Sequence, residues 1–229
     1  VAYRTAYLKC HYPIEYFSAL MTAMMDNVSK IALYTAECRR MGVKVLPPSV
    51  DESFAGFTPE GDSIRFGLSA IKFIGAGLID RLTQEREKNG KYSSMYDFCL
   101  RNYAREFNRK ALEELIKSGA MDGLEPNRRQ MLYNVEATLT AVESEKRYSA
   151  QGQLNLFEEM GTSNAFVPHE MPEMAEEIKL ALEKEATGLY LSGHPLEKYK
   201  GFIQISAFDE SYCKYAMWRY CKNSIFKYS

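Results

Sequence analysis

Apolar residues recur at helical spacing through the first fifty residues of the chain. The apolar surface over residues 7–25 is interrupted at Pro13, which favours the start of a new helical stretch because its ring fixes φ. A second periodic segment begins at Ser29 and runs to Gly42, a natural C-terminal stop. Residues 43–46 then predict a short strand that two prolines close.

The pattern changes from helical to alternating after these prolines. Residues 54–58 and 63–68 have strand character, and the sequence Pro59-Glu60-Gly61-Asp62 between them is typical of a tight turn, so a β-hairpin is predicted. Taken as a whole, the chain predicts a mainly α, α+β fold. Further helices are indicated after residue 77 as far as about 88, at residues 108–117, from about 127, and at about 174–185.

The sequence Gly75-Ala76-Gly77 lies between two apolar segments and carries the most information about function. It predicts two helices joined by a tight glycine corner, because glycine tolerates sharp turns. The first N–H groups of the second helix then lack intrahelical partners, and together with the helix dipole they favour a phosphate. Such a contact does not read base sequence. The alternative is a tight helix connection with no ligand. The candidate DNA-binding residues are Lys72, Gly75, Ala76, Gly77, Arg81, Arg109 and Lys110.

A second, degenerate hairpin follows. The helix predicted at residues 108–117 is broken at Ser118-Gly119-Ala120, and another helix begins near Asn127. Two such hairpins suggest a tandem pair that holds two strands of a duplex, or two phosphates on one strand. The basic residues Lys117, Arg128 and Arg129 are further candidates for phosphate contacts, although each is individually typical of a solvated surface.

The second specific signal is a short apolar island, Gln153-Leu154-Asn155-Leu156-Phe157, within polar and acidic sequence. The residues Gln153, Leu154, Leu156 and Phe157 place one amide and three apolar anchors on a short segment, which suits docking into a partner's apolar pocket. The alternative is a hydrophobic turn that packs on its own domain. The flanking charge favours the docking peptide.

Composition and charge narrow the class of protein. The 229 residues are 46% hydrophobic and 26% charged, as in an ordinary globular protein, and the formal net charge of −1 excludes a uniformly basic nucleic-acid coat. Residues 101–129 contain seven Lys/Arg against five Asp/Glu, whereas residues 143–185 contain ten acidic against four basic residues. Any nucleic-acid contact is therefore expected in the middle third.

Other chemistry receives no support from the sequence. We find no carboxylate pair suited to two magnesium ions, no nucleophile with a base, and no histidine or cysteine cluster at metal-ligand spacing, so no catalytic residue, metal site or cofactor is predicted. The absence of a membrane-length apolar run and the scattered cysteines favour a cytoplasmic protein with reduced thiols. The cysteines are Cys10, Cys38, Cys99, Cys213 and Cys221.

Beyond single motifs, the order of features over about residues 1–200 resembles the bacterial replicative DNA polymerase III alpha subunit family. The resemblance implies that the chain is a piece of a longer polypeptide, whose catalytic carboxylates lie in an upstream palm domain. The residues that carry the resemblance are 2–13, 37–42, 45–48, 66–72, 115–120, 153–157 and 188–196.

The resemblance also implies a division of the chain into segments. The implied segments are the end of a fingers domain (1–50), the β-hairpin with a tandem helix-hairpin-helix (51–148), a linker with a clamp-binding peptide (149–174), and a helix leading to an oligonucleotide-binding domain (175–204). Residues 205–229, with dense Tyr, Cys and Lys, depart from the family pattern and are interpreted as an atypical tail that is truncated or frame-shifted.

Partners follow from the same resemblance. They are duplex primer-template DNA, the sliding clamp and other replisome subunits, with no membrane. The parent enzyme would use magnesium and deoxynucleoside triphosphates as a DNA-directed DNA polymerase, while this fragment alone would be inactive. Two alternatives stay open: a non-catalytic DNA-binding adaptor with a clamp-binding peptide, and a purely structural helical domain.

Overall fold

Helices make up most of the structure. A computed structural model of the protein describes residues 2–104, 107–150 and 168–196. In these residues a small three-stranded sheet accompanies the helices, which confirms the predicted mainly α, α+β fold. The helices are α1 (Ala2–His11), α2 (Pro13–Ala23), α3 (Val28–Arg40), α4 (Ala76–Asn89), α5 (Met95–Asn102), α6 (Arg109–Lys117), α7 (Arg128–Ala150) and α8 (Glu176–Thr187), and the strands are β1 (Lys44–Leu46), β2 (Thr58–Glu60) and β3 (Ser63–Arg65).

Three helices precede the sheet, and the local sequence explains where two of them begin. Pro13 occupies the first position of α2, where its fixed φ suits a helix and its missing N–H has no intrahelical acceptor to lose. The side chain of Asn27 caps α3, so this helix begins one residue before the predicted Ser29. Lys9 forms an ion pair with Glu37 at 2.7 Å, which joins the first helix to the third.

The predicted β-hairpin is present, but its first strand lies at Thr58–Glu60 instead of 54–58, so two residues expected in the turn belong to the strand, and its second strand is shorter than expected. β2 and β3 are antiparallel, while β1 pairs with β3 in parallel, so the strand order is β1-β3-β2. Ile64 in the central strand is completely buried. Pro59 lies opposite it on an edge strand, where a residue without an N–H interrupts no inner ladder.

The helices α4 to α7 share one hydrophobic core. Each contributes a side chain that is completely buried: Leu82, Phe98, Leu115 and Met131, in helix order. The sequence pattern predicts no helix at the position of α5, which is only eight residues long and is capped by the side chain of Ser94. Phe98 anchors α5 in the core, because its buried ring contacts two other aromatic rings edge to face.

α8 begins and ends two residues later than predicted and packs against α6. Its C-terminus is closed by Gly188 in the left-handed conformation, at φ +80°. The described residues up to Ser192 belong to one compact unit. The predicted docking peptide at residues 153–157 and the atypical tail at 205–229 lie outside the described residues.

Candidate nucleic-acid interface

The glycine corner, Gly75-Ala76-Gly77, forms the exposed N-terminus of α4. Gly75 is the N-cap residue, and its carbonyl oxygen accepts the N–H groups of Leu78 and Ile79 at 3.1 and 3.2 Å. The N–H groups of Ala76 and Gly77 come before these bonds and have no backbone acceptor in the described part of the chain. A Cβ added at either glycine would meet no atom within 4 Å, so the corner opens onto free space.

The corner differs from the predicted helical hairpin in one respect. The segment before it is not an α-helix: a short 3-10 turn, Leu68–Ala70, gives way to an irregular stretch in which Ile71 is extended. The sharp turn is at Phe73, with φ +62°, whereas Gly75 has an ordinary φ of −83°. The prediction that the glycines supply the turn is therefore wrong, and their contribution is the absence of a side chain above the helix N-terminus.

Buried side chains hold the corner in place from below. Ile71 and Ile74 on the approach, and Leu78, Ile79 and Leu82 on α4, are all buried in the core. The corner therefore rests on a packed base, which fixes the position of its amide donors before a ligand arrives.

Lys72 is engaged elsewhere than at the corner. Its backbone N–H donates to the carbonyl oxygen of Ala186 at 3.0 Å, and its ammonium group donates to the carbonyl oxygen of Glu185 at 2.6 Å. Both acceptors belong to the last turn of α8, whose carbonyl groups lack intrahelical partners. In this structure Lys72 caps the negative end of α8 instead of contributing charge at the corner.

The remaining predicted cations lie in different surroundings. Arg109 is ion-paired with Glu113 at 2.7 Å and with Glu136 at 3.3 Å. Arg81 is half-buried in the second turn of α4. Lys110 lies with its ammonium nitrogen 3.4 Å from the centroid of the Phe73 ring, and this contact places a cation from α6 beside the corner. Among the predicted basic residues, Lys110 has a contact in the described structure that holds its charge next to the corner.

The second hairpin does not expose its corner. Ser118, Gly119 and Ala120 are buried, and a side chain at Gly119 would collide with the guanidinium group of Arg128. Arg128 itself is 3% exposed and forms ion pairs with Asp122 and a buried glutamate of α8. The expectation that Arg128 contacts DNA is therefore wrong, because its charge is neutralised inside the protein.

The N-terminus of α7 already holds an anion that belongs to the chain. One carboxylate oxygen of Glu173 accepts the N–H of Arg128 at 3.0 Å, and the other accepts the N–H of Arg129 at 3.3 Å. Burial opposes ionisation of Glu173, but the N–H donors at Met174, Arg128 and Arg129 lower its pKa overall. Of the two predicted hairpins, only the first therefore has helix-start amides without a partner in the described residues. The sequence pattern around Glu173 gives no sign that its carboxylate occupies the start of α7.

The described residues contain neither a cluster of metal-binding side chains nor a membrane-spanning helix. In residues 2–104, 107–150 and 168–196, no group of three histidine, cysteine or carboxylate side chains is arranged to hold a metal ion. None of the helices in these ranges combines the length and the apolar character needed to cross a membrane.

The glycine corner lies within a region that a known protein family matches. The helix-hairpin-helix motif family matches residues 42–131, which run from the start of the sheet into the first turn of α7. The curated DNA polymerase III alpha subunit of Saccharopolyspora erythraea is 43% identical over 205 residues, that of Vibrio cholerae 36% over 203, and that of Deinococcus radiodurans 39% over 213. These matches cover 86%, 87% and 90% of the chain but 17%, 18% and 16% of the relatives, so the chain spans about one sixth of their length.

Proposed function

The chain corresponds to a segment of the DNA polymerase III alpha subunit, and we propose that this segment holds the backbone of duplex primer-template DNA during replication. The observation that carries the proposal is the exposed glycine corner within the matched helix-hairpin-helix region. The amides of Ala76 and Gly77 have no backbone acceptor among the described residues and lie at the exposed, positive end of α4, where a phosphate oxygen is favoured.

This mode of binding predicts weak, sequence-independent affinity. Backbone amides contact phosphate and carry no information about bases. Lys110 is the cation fixed beside the corner, while Lys72 and Arg109 are engaged with other protein groups. One or two neutralised phosphates give a slope of log affinity against log salt between about −1 and −2. Such a contact steadies an enzyme on DNA that other domains also hold.

The docking peptide is the second part of the proposal. Gln153, Leu154, Leu156 and Phe157 would bind an apolar pocket of the sliding clamp, with the glutamine amide fixing orientation. The residues on either side of the peptide both belong to the α7 region: α7 ends at Ala150, and residues 168–174 form hydrogen bonds with α7 and the residue before it. The peptide is thereby carried by the same unit that holds DNA, and tethering raises the local concentration of enzyme at the primer end.

Catalysis would belong to the parent polypeptide. On this proposal the parent is a DNA-directed DNA polymerase that extends a primer with deoxynucleoside triphosphates and magnesium, using carboxylates outside this segment. The present chain would bind DNA and the clamp without extending a primer. The non-catalytic adaptor is the alternative, and the alpha-subunit relationship over most of the chain favours the polymerase.

Substitution of both glycines tests the proposed DNA contact. In Gly75→Leu with Gly77→Leu, side chains fill the open space above the amides, and we expect at least a tenfold loss of affinity for a fluorescent duplex in low salt. Gly123→Leu is the matched control, because its Cβ also meets no atom within 4 Å. Equal binding by the double variant and the control, on two duplexes of unrelated sequence, would show that the corner does not hold DNA.

A further inference from the structure

Phe73 adopts a backbone conformation that aromatic residues rarely adopt. With φ at +62°, it is the only non-glycine residue of positive φ in the described ranges. A residue with a bulky side chain is strained there, and such strain persists where the surroundings or a function require it. Burial does not offset the cost, because Phe73 is 58% exposed. Packing inside the protein therefore does not explain an aromatic ring at this position.

The ring of Phe73 holds the ammonium group of Lys110 next to the glycine corner. The nitrogen lies 3.4 Å from the ring centroid, and Phe73 precedes Gly75 by two residues. Lys110 is exposed in the first turn of α6 and forms no ion pair with the described residues. The neighbouring Arg109, in contrast, is paired with two glutamates. One exposed apolar ring, and one cation with no ion pair among the described residues, thus lie together beside the corner.

We infer that Phe73 and Lys110 form a second contact to the DNA strand whose phosphate the corner holds. The inference rests on the proposed function of the glycine corner. Successive phosphates of a strand are separated by a deoxyribose, whose C–H face is apolar. The free surface of the Phe73 ring lies against this sugar, and the Lys110 ammonium meets the adjoining phosphate. Because sugar and phosphate are the same in every nucleotide, this contact is also independent of sequence.

Phe73→Gly separates a DNA contact from a structural role. Glycine adopts a positive φ without strain, so the backbone before the corner is retained and the thermal midpoint stays equal or rises. Loss of the ring removes apolar surface from the complex, and affinity for a duplex falls about fivefold to tenfold. A purely structural ring would instead leave DNA affinity unchanged.

Lys110→Gln tests the cation of the pair. The variant reduces the magnitude of the salt slope by about one, because one phosphate contact is lost. In the Phe73→Gly background the same substitution has a smaller effect, since the ring no longer positions the ammonium group. Tyr3→Ala is the control for removal of an exposed aromatic residue, on α1.

All measurements use the 229-residue chain and one duplex at several salt concentrations. Wild-type affinity in Phe73→Gly, together with lost binding in the variant with both corner glycines replaced, would overturn this inference and leave the proposed function standing. Wild-type affinity in both variants would overturn both. Weakened binding in Phe73→Gly and in Tyr3→Ala alike would also overturn the inference, because the effect would not be specific to the corner.

Discussion

Glu183 is the buried carboxylate whose loss should destabilise the protein most clearly. It is completely buried on α8, and one of its oxygens accepts from the guanidinium group of Arg128 at 2.9 Å and from the Ser192 hydroxyl at 2.8 Å. The other oxygen accepts the backbone N–H groups of Leu191 and Ser192 at 3.2 and 3.1 Å. Glu183 thus joins the segment after α8 to the first turn of α7.

Glu183→Gln keeps the shape of the side chain but replaces one acceptor by a donor. In either orientation the new NH2 group faces N–H, O–H or guanidinium donors, and Arg128 keeps only Asp122 as an ionic partner. Breaking a buried pair typically costs 3–5 kcal/mol, and because Asp122 remains, we expect about 3 kcal/mol. For a unit of this size, such a loss lowers the thermal midpoint by about 6–12 °C.

Urea unfolding followed by circular dichroism measures this change in the free energy of unfolding. Glu185→Gln is the matched control, two residues away on the same helix, because its ion pair with Lys117 is largely exposed on the glutamate side. Exposed pairs contribute less than about 1 kcal/mol. If Glu183→Gln lost no more stability than Glu185→Gln, the buried network would not support the fold as described.

Three further predictions concern other sites. Glu173→Gln weakens the cap of α7, and the free energy of unfolding in urea should fall by about 1 kcal/mol; an unchanged urea midpoint would contradict this. Hydrogen bonds from Arg40 and from a lysine of α1 lower the pKa of Glu37 to about 2. The stability difference between wild type and Glu37→Gln should therefore be complete above about pH 4.5 and vanish as the pH falls through 2; a difference constant across this range would refute the pairing. Cys10 is exposed, whereas burial raises the pKa of the Cys99 thiol, so peptide mass spectrometry after native alkylation should find Cys10 modified and Cys99 unmodified; labelling of both at equal rates would disprove the burial.

Local signals in the sequence were enough to place most of the elements. Some signals act within a few residues of the element they predict: Gly42 just after the end of α3, the turn around Gly61, and the apolar period after Gly77. These signals predict helices and strands without knowledge of tertiary packing. The short helix α5 escaped prediction because its position depends on burial of Phe98 among rings from other segments. The position of α5 is therefore set by tertiary packing, which local periodicity does not reveal.

The site was predicted less completely than the fold. The exposed glycine corner follows from local sequence, but the occupation of Lys72 by the end of α8 depends on residues more than a hundred positions away. The same holds for Glu173, whose carboxylate fills the N-terminus of α7 from 45 residues downstream of Arg128. Long-range partners decide which basic residues and which helix ends remain available to a ligand.

In the proposed complex the amides of the glycine corner bind a phosphate, so a negative charge introduced at Gly75 should weaken DNA binding. Asp and Asn are both good N-cap residues, so Gly75→Asp and Gly75→Asn should fold equally well at this extended position. Duplex affinity in low salt should fall for both variants, because either side chain occupies the open space and accepts the amide N–H groups, but it should fall about tenfold further for Asp than for Asn, because a carboxylate there repels phosphate. Added salt should narrow the gap between the two variants. Equal affinities of the Asp and Asn variants would contradict the account.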